Sequence, residues 1–488
     1  MPAEHQSDDV GARTLYSIAS FTKILLNVAF YRIISSGKYD SLGLSWGKSA
    51  CDLFNELQRR KGTPFIRRFS RDPSILELLL HRNGFAPMNE HLLAPDGTFM
   101  MSKDAFLDAA PQITEDYFKG QKQGFTEYSN ANHIFAGLLL EEITGLPLSE
   151  VMQEEVFNPL GMLRTAMDNT TLSRLEDEGC TVATGHRVSG DMKSAEPRTR
   201  RMYLTDTVEA AAFGAYSCTE DLARLVREFL RALDDQSDVF TADDTTYFFG
   251  PKSSDDDGGR VSLGGLYCSL DSEKPGTEST NKTLSPRNQY PSYRLGTLSR
   301  GRHCEIYYKA GTVDGFACAV YISLKFRCFV IALSNSSGPL DVTDHMARYT
   351  LQEALNLSPK VDIVAKVMEE GIRNAERVQG FEKMDSEDSL WSEDIQDFMG
   401  TYVHTKYGKT LEISRDRDLA FRWNSKFSSS MKAGRLGNKL RIFPGPDGFC
   451  IDRWSVWMDR DFTLHKRDEK AHIINSSGSD CYERISVQ

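Results

Sequence analysis

Ser17-Ile18-Ala19-Ser20-Phe21-Thr22-Lys23 follows the strand-like lead Thr14-Leu15-Tyr16 and runs directly into Ile24-Leu25-Leu26-Asn27-Val28-Ala29-Phe30-Tyr31-Arg32-Ile33-Ile34. The apolar run is long enough for a helix, and in that helix Ser20 and Lys23 fall one turn apart on one face. A lysine amine there can reach the serine hydroxyl, and a serine becomes a nucleophile only when a base takes its proton. Spacing alone carries little weight. A Ser-x-x-Lys pair arises roughly twice by chance in a chain of this length, and Ser35/Lys38, Ser45/Lys48, Ser279/Lys282 and Ser429/Lys432 repeat it here. Only the Ser20 copy sits between a strand-like lead and an apolar helix.

Two further stretches supply matching chemistry. Tyr128-Ser129-Asn130 offers a phenol before an apolar helical run, and Lys309-Ala310-Gly311-Thr312 offers a second amine on a Gly-bordered strand. Taken singly, Tyr128 reads as a half-buried packing residue, Asn130 as a helix N-cap, and Lys309 as a solvated edge residue. A rival nucleophile is Ser45 in Gly43-Leu44-Ser45-Trp46-Gly47. That Gly-x-Ser-x-Gly pattern requires a buried strand directly before the serine. The preceding Ser35-Ser36-Gly37-Lys38-Tyr39-Asp40-Ser41 is polar and turn-forming, so Gly43 to Gly47 reads as a loop.

In this order the stretches resemble the serine β-lactamase and penicillin-binding-protein superfamily, on its class C β-lactamase and esterase branch. Ser17 to Lys23 is similar to the nucleophile segment, and Tyr128 to Glu141 to the Tyr-x-Asn motif and its helix. Phe213-Gly214-Ala215-Tyr216-Ser217-Cys218-Thr219-Glu220-Asp221-Leu222 looks like the family's Gly-rich turn, and Lys309 to Phe316 its Lys-Thr-Gly strand. Leu78 to Phe85, Asn158-Pro159-Leu160-Gly161-Met162 and Leu333-Ser334-Asn335 support it. The similarity covers roughly residues 14 to 357, with a divergent stretch from about 231 to 293.

The resemblance implies an acyl-enzyme chemistry. Ser20 is the implied nucleophile. Lys23 and Tyr128 are its candidate bases, the phenol being held toward phenolate by Lys23 and Lys309. The implied oxyanion hole is the backbone N–H of Ser20 and of Thr312. Gly311 is expected to let substrate lie close against the strand, and Asn130 to bond Lys23 or the acyl side. Ala310 stands where the family has Thr or His, which leans away from peptidoglycan or β-lactam substrates. Ser129 and Thr22 are read as neutral positions.

Composition points to a soluble cytoplasmic enzyme of 488 residues, with net charge −11 and pI near 5.5. That charge argues against nucleic acid or anionic membrane as partner. The amino terminus lacks the basic and apolar regions of a signal peptide, and no apolar run reaches membrane-spanning length. Nine scattered cysteines without a C-x-x-C pair fit reduced thiols, and ten histidines form no metal-spaced cluster. No metal or cofactor is expected; the implied partner is a small-molecule acyl substrate.

The fold class predicted is α/β: a β-lactamase-like antiparallel sheet flanked by helices with a helical subdomain, then a small antiparallel β-barrel or sandwich. Residues 1–358 form the catalytic domain, with 231–293 a loop-rich insertion at the pocket rim. Residues 359–394 are an amphipathic helix and an acidic linker, and 395–488 a C-terminal β domain resembling a lipocalin. Relatives carry a helix and two strands ahead of the nucleophile, whereas nineteen residues precede Ser20. The edge of the strand near 327–334 is therefore expected to be covered by residues ahead of this start, by another segment or subunit, or to lie bare, and the chain to be unstable or a homodimer.

Three functions fit. Hydrolysis of a small ester or amide comes first. An acyltransferase or transesterase of secondary metabolism would use the same residues in a pocket that excludes water. A non-catalytic scaffold should have lost Ser20, Lys23 or Tyr128, and all three are present.

Overall fold

The computed structural model describes residues 10–62, 72–92, 101–119, 127–188, 193–197, 208–254, 260–279, 293–313, 315–338, 340–373, 375, 399–404 and eight-stranded-barrel segments between 410 and 486. The Arg198/Arg200/Arg201 patch, Asp255 to Gly259 and the acidic segment Glu382 to Asp394 lie outside the described residues.

The first helix, Thr22–Ser35, is apolar on every side and correspondingly buried on every side, from Thr22 to Tyr31 without a break. Helix Asn130–Thr144 is of the same kind. These two helices form the centre of a helical layer. They meet the short helix Ala210–Phe213, where Gly137 faces Ala211 so closely that a Cβ on it would stand 2.4 Å from the Ala211 Cβ. Helix Thr219–Ala232 is amphipathic instead, and turns Leu222, Leu225, Val226 and Phe229 inward.

One face of an antiparallel six-stranded sheet packs against this layer. Its order from one edge is Cys328–Ser334, Phe316–Ser323, Glu305–Val313, Gly265–Ser269, Arg260–Ser262 and Ser253–Ser254. Alternation along Glu305–Val313 divides its side chains between two cores. Tyr307 and Val313 join the helical core, while Ile306, Tyr308 and Ala310 join a second core under helix Val342–Ala354. Lys309 shares the parity of Tyr307, so its amine is directed toward the first helix rather than to solvent. The apolar run after Ser20 and the helix expected within Tyr128 to Glu141 correspond to Thr22–Ser35 and Asn130–Thr144.

The stretch 231–293, read as loop-rich, contributes helix Ala242–Phe249 and three strands of this sheet. Those strands are two to five residues long, too short for a legible period. Strand Cys328–Ser334 ends the sheet, pairing among the described residues only with Phe316–Ser323, and all seven of its residues are half-buried.

Past residue 399 the strands Gly400–His404, Thr410–Arg415, Leu419–Trp423, Phe427–Leu436, Lys439–Pro444, Phe462–Arg467, Lys470–Asn475 and Cys481–Ser486 pair in chain order. The first pairs with the last, closing a barrel rather than a sandwich. Closure leaves no strand edge to be covered.

Candidate active site

Ser20 sits at the junction of strand and helix. Tyr16–Ser17 pairs with Tyr216–Ser217, and the Ile18 N–H donates to the Ala215 carbonyl at 3.0 Å. A single 3-10 turn, Ala19–Phe21, then leads into the first helix. Ala19 takes φ of 47°, a left-handed conformation that an L-residue with a side chain adopts only when its surroundings impose it. Thr22 imposes it. Its Oγ1 donates to the Ala19 carbonyl at 2.7 Å and accepts the Ala215 N–H at 3.1 Å, inside the protein. The sequence reading treated Thr22 as neutral; it pins the elbow that presents Ser20.

Four predicted side chains meet at that elbow. Lys23 Nζ lies 3.0 Å from Ser20 Oγ, and the Tyr128 hydroxyl donates to the same oxygen at 2.8 Å. Lys23 also donates to the Ala212 carbonyl at 2.7 Å. Lys23 Nζ stands 5.1 Å and Lys309 Nζ 4.9 Å from the centre of the Tyr128 ring, so two amines flank one phenol. Behind the phenol, the His81 ring lies 4.5 Å from that of Tyr128 and 4.8 Å from that of His133. His81 Nδ1 accepts the Ser129 N–H at 3.1 Å, which leaves the proton of a neutral His81 on Nε2.

Burial sorts these basic groups by charge. Lys23 is 1 % exposed, and the loss of solvation, reinforced by repulsion from Lys309, holds its pKa well below the ordinary lysine value. His81 and His133 are pushed down in the same way, so both rings are neutral. Lys309 differs. Burial lowers it, but the carboxylate of Glu278, 3.0 Å from its Nζ, outweighs that and leaves its pKa raised. The Tyr128 phenol is raised, by burial first and against the pull of Lys309. The phenol is therefore protonated, a correction to the expectation that its cationic neighbours hold it toward phenolate.

The strand residues follow. Gly311 faces the elbow: a Cβ on it would stand 2.5 Å from the Ser20 nitrogen. Its clearance is thus taken up by the protein's own backbone. Ala310 donates its N–H to Glu278 Oε2 at 3.3 Å, so that strand edge is turned away from Phe316–Ser323. Thr312, two residues on, turns its N–H to the same edge. Asn130 does not bond Lys23. Its Nδ2 donates to Asn89 Oδ1 at 2.8 Å, and its buried Oδ1 has no partner among the described residues. The partner that Lys23 takes is the Ala212 carbonyl. Ser45 is exposed in a loop with no strand before it.

Glu278 escaped the sequence reading. It lies in the divergent stretch, and a lone Glu between Thr277 and Ser279 carries no local signal. Among the described residues no three His, Cys, Asp or Glu side chains are grouped to hold a metal, and no helix is long and apolar enough to cross a membrane.

The sequence profile described as Beta-lactamase matches residues 3–355. A "Putative D-alanyl-D-alanine carboxypeptidase" of Escherichia coli O157:H7 is 28 % identical over 160 residues, 32 % of this chain and 34 % of that protein. An "N-acetylmuramyl-L-alanine amidase" of Bacillus subtilis (strain 168) is 22 % identical over 310 residues, 53 % of this chain and 65 % of that one. The chain thus spans about a third of the first relative's length. Among solved structures, the octameric penicillin-binding protein homologue from Pyrococcus abyssi shares 15 % identity with TM-score 0.50, covering 97 % of this chain and 89 % of that one. The class C beta lactamase from Rhodobacter sphaeroides shares 16 % identity with TM-score 0.50, covering 71 % and 87 %. These likenesses are of fold.

Proposed function

The chain belongs to the Beta-lactamase family, and on that premise we propose that it is a serine hydrolase of small-molecule esters or amides, working through an acyl-enzyme on Ser20. One observation carries the reading: Ser20 Oγ lies 3.0 Å from the amine of a buried lysine, whose pKa burial lowers, and 2.8 Å from the Tyr128 hydroxyl. The relatives named as carboxypeptidase and amidase support hydrolysis of an acyl derivative as the class of reaction.

A neutral Lys23 has a lone pair for the Ser20 proton while its own N–H is held by Ala212. As Ser20 Oγ bonds to the acyl carbon, the proton passes to Lys23 and the carbonyl becomes an oxyanion. The N–H groups of Ser20 and Thr312 are the donors for that charge. Collapse breaks the bond to the leaving group, which takes its proton from Lys23, either directly or relayed through the Tyr128 hydroxyl. Water then attacks the ester on Ser20, giving its proton to the restored amine; as the second tetrahedral intermediate collapses, the Oγ–acyl bond breaks, Lys23 returns that proton to Ser20 Oγ, and the acid is released. Lys309 keeps a positive charge beside the phenol throughout, which keeps Lys23 neutral between turnovers. The open face of Tyr128, 41 % exposed, admits water and supports hydrolysis over transfer to an acceptor.

Labelling with a fluorophosphonate, followed by mass mapping of the modified peptide, tests this. An adduct on Ser20 that is lost in Ser20→Ala supports it. An adduct on Ser45, or full turnover by Ser20→Ala, overturns it. Partition of the acyl-enzyme between water and added alcohols separates hydrolase from acyltransferase.

A further inference from the structure

Lys309 and the Ala310 N–H together make a seat for an anion, and a residue of the chain itself sits in it. Glu278 places Oε1 3.0 Å from Lys309 Nζ and Oε2 3.3 Å from the Ala310 nitrogen, so its carboxylate spans an ammonium and a backbone donor. The seat lies on the substrate's side of the strand. Ala310 and Thr312 turn their N–H groups to one edge, roughly 7 Å apart along the strand. A substrate whose carbonyl oxygen reaches the Thr312 N–H must extend along the edge that Glu278 occupies or away from it.

The glutamate is built in rather than draped over the site. Thr277 N–H donates to the Lys274 carbonyl at 3.1 Å and Ser279 N–H to the Gly276 carbonyl at 3.0 Å, so two successive turns shape residues 274–279. Ser279 Oγ donates to Asp341 Oδ2 at 2.6 Å, within the protein. Asp341 in turn caps helix Val342–Ala354 by accepting from the Thr343 and Asp344 N–H groups. The residue next to Glu278 is thus tied to the start of a helix under the sheet.

We propose that Glu278 is an internal occupant of this anion seat and restricts the site to substrates that are uncharged there. This rests on Ser20 being the nucleophile. Glu278 and Lys309 cancel in charge, so an arriving carboxylate finds its donors taken and a like charge in contact distance. A neutral ester or amide meets neither obstacle. The same ion pair holds the Lys309 pKa up, so the ammonium of the seat and its occupant are maintained together.

The test compares kcat/KM for p-nitrophenyl acetate and for mono-p-nitrophenyl succinate in the native protein, Glu278→Gln and Glu278→Ala. It adds benzoate as a free carboxylate probe. The native protein should prefer the neutral ester and resist benzoate. In either variant the neutral-to-anionic ratio should fall at least tenfold, and benzoate should become a competitive inhibitor. An unchanged ratio in a folded variant overturns the proposal, as does competitive inhibition of the native protein by low-millimolar benzoate, which needs no variant. If neither ester is turned over and Ser20 takes no label, the serine-hydrolase reading fails separately. The seat is then read by calorimetry: benzoate binding to a variant and not to the native protein supports it, and equal binding overturns it.

Discussion

Gly311 and Ser20 approach so closely that a Cβ on the glycine would stand 2.5 Å from the serine nitrogen and 3.0 Å from the Ala19 Cβ. The obstacle is backbone, which cannot swing aside as a side-chain tip can. Gly311→Ala must therefore push the Ser20 N–H away from the Thr312 N–H. Loss of one oxyanion donor costs about a hundredfold to a thousandfold in kcat. We expect that loss in steady-state turnover, with folding retained by circular dichroism; an alanine variant as active as the native protein would refute the arrangement.

As the proposed base, Lys23 would act as the free amine, which exists above its depressed pKa. Turnover should therefore rise with pH through that value and fall as acid protonates the amine. Burial is the larger cause of the depression and Lys309 the next. Lys309→Met removes the repulsion, so the acid limb of the kcat/KM profile should move to higher pH. Movement to lower pH would contradict the assignment of Lys23 as base. Stability carries the same sign. Between the folded value and the ordinary lysine value the unfolded chain binds the extra proton, so this site's contribution grows as pH rises through that window and is lost as pH falls.

Thr22→Val removes a hydroxyl that satisfies two groups in the interior, the Ala19 carbonyl and the Ala215 N–H. A buried polar group left without a partner costs about 1–3 kcal/mol. We expect a lower midpoint in urea together with a fall in kcat, since Ala19 loses its restraint. Thr22→Ser should restore both, because it keeps the hydroxyl; a valine variant that matches the native protein in both readouts would show the elbow to be self-supporting.

Beneath the sheet, Arg348 and Asp344 are both wholly buried and meet at 2.6 Å, and the Tyr321 hydroxyl donates to the same carboxylate at 2.6 Å. Burial pushes the Asp344 carboxyl up, but Arg348 outweighs it and leaves the group below its ordinary value. Arg348→Met strands that carboxylate and should cost about 3–5 kcal/mol. The measurement is denaturant unfolding. Ser20 labelling at low temperature should survive, since the pair lies on the face of the sheet away from the elbow.

Much of this protein was legible without a structure. The helices around Ser20 and Tyr128 announce themselves because they are apolar over more than two turns, and hydrophobic burial follows such a run wherever it packs. Strand signals at 303–309, 316–323 and 327–334 correspond to Glu305–Val313, Phe316–Ser323 and Cys328–Ser334. Strands Phe427–Leu436, Lys470–Asn475 and Cys481–Ser486 show weak local alternation and are fixed by their pairing in the barrel. The order of the three motifs led to the family, and with it to Ser20, Lys23, Tyr128 and Lys309 as one site.

Residue types and spacing determined which groups were available: a serine one helical turn from an amine, a phenol, a second amine and a glycine. Only the tertiary structure decided their charges, because protonation depends on burial and on neighbours far away in the chain. It lowered the pKa of Lys23 and raised that of the Tyr128 phenol. It also brought Glu278, 31 residues from Lys309 along the chain, to the ammonium of that lysine. No local pattern encodes that contact, since it exists only where separate segments of the fold converge.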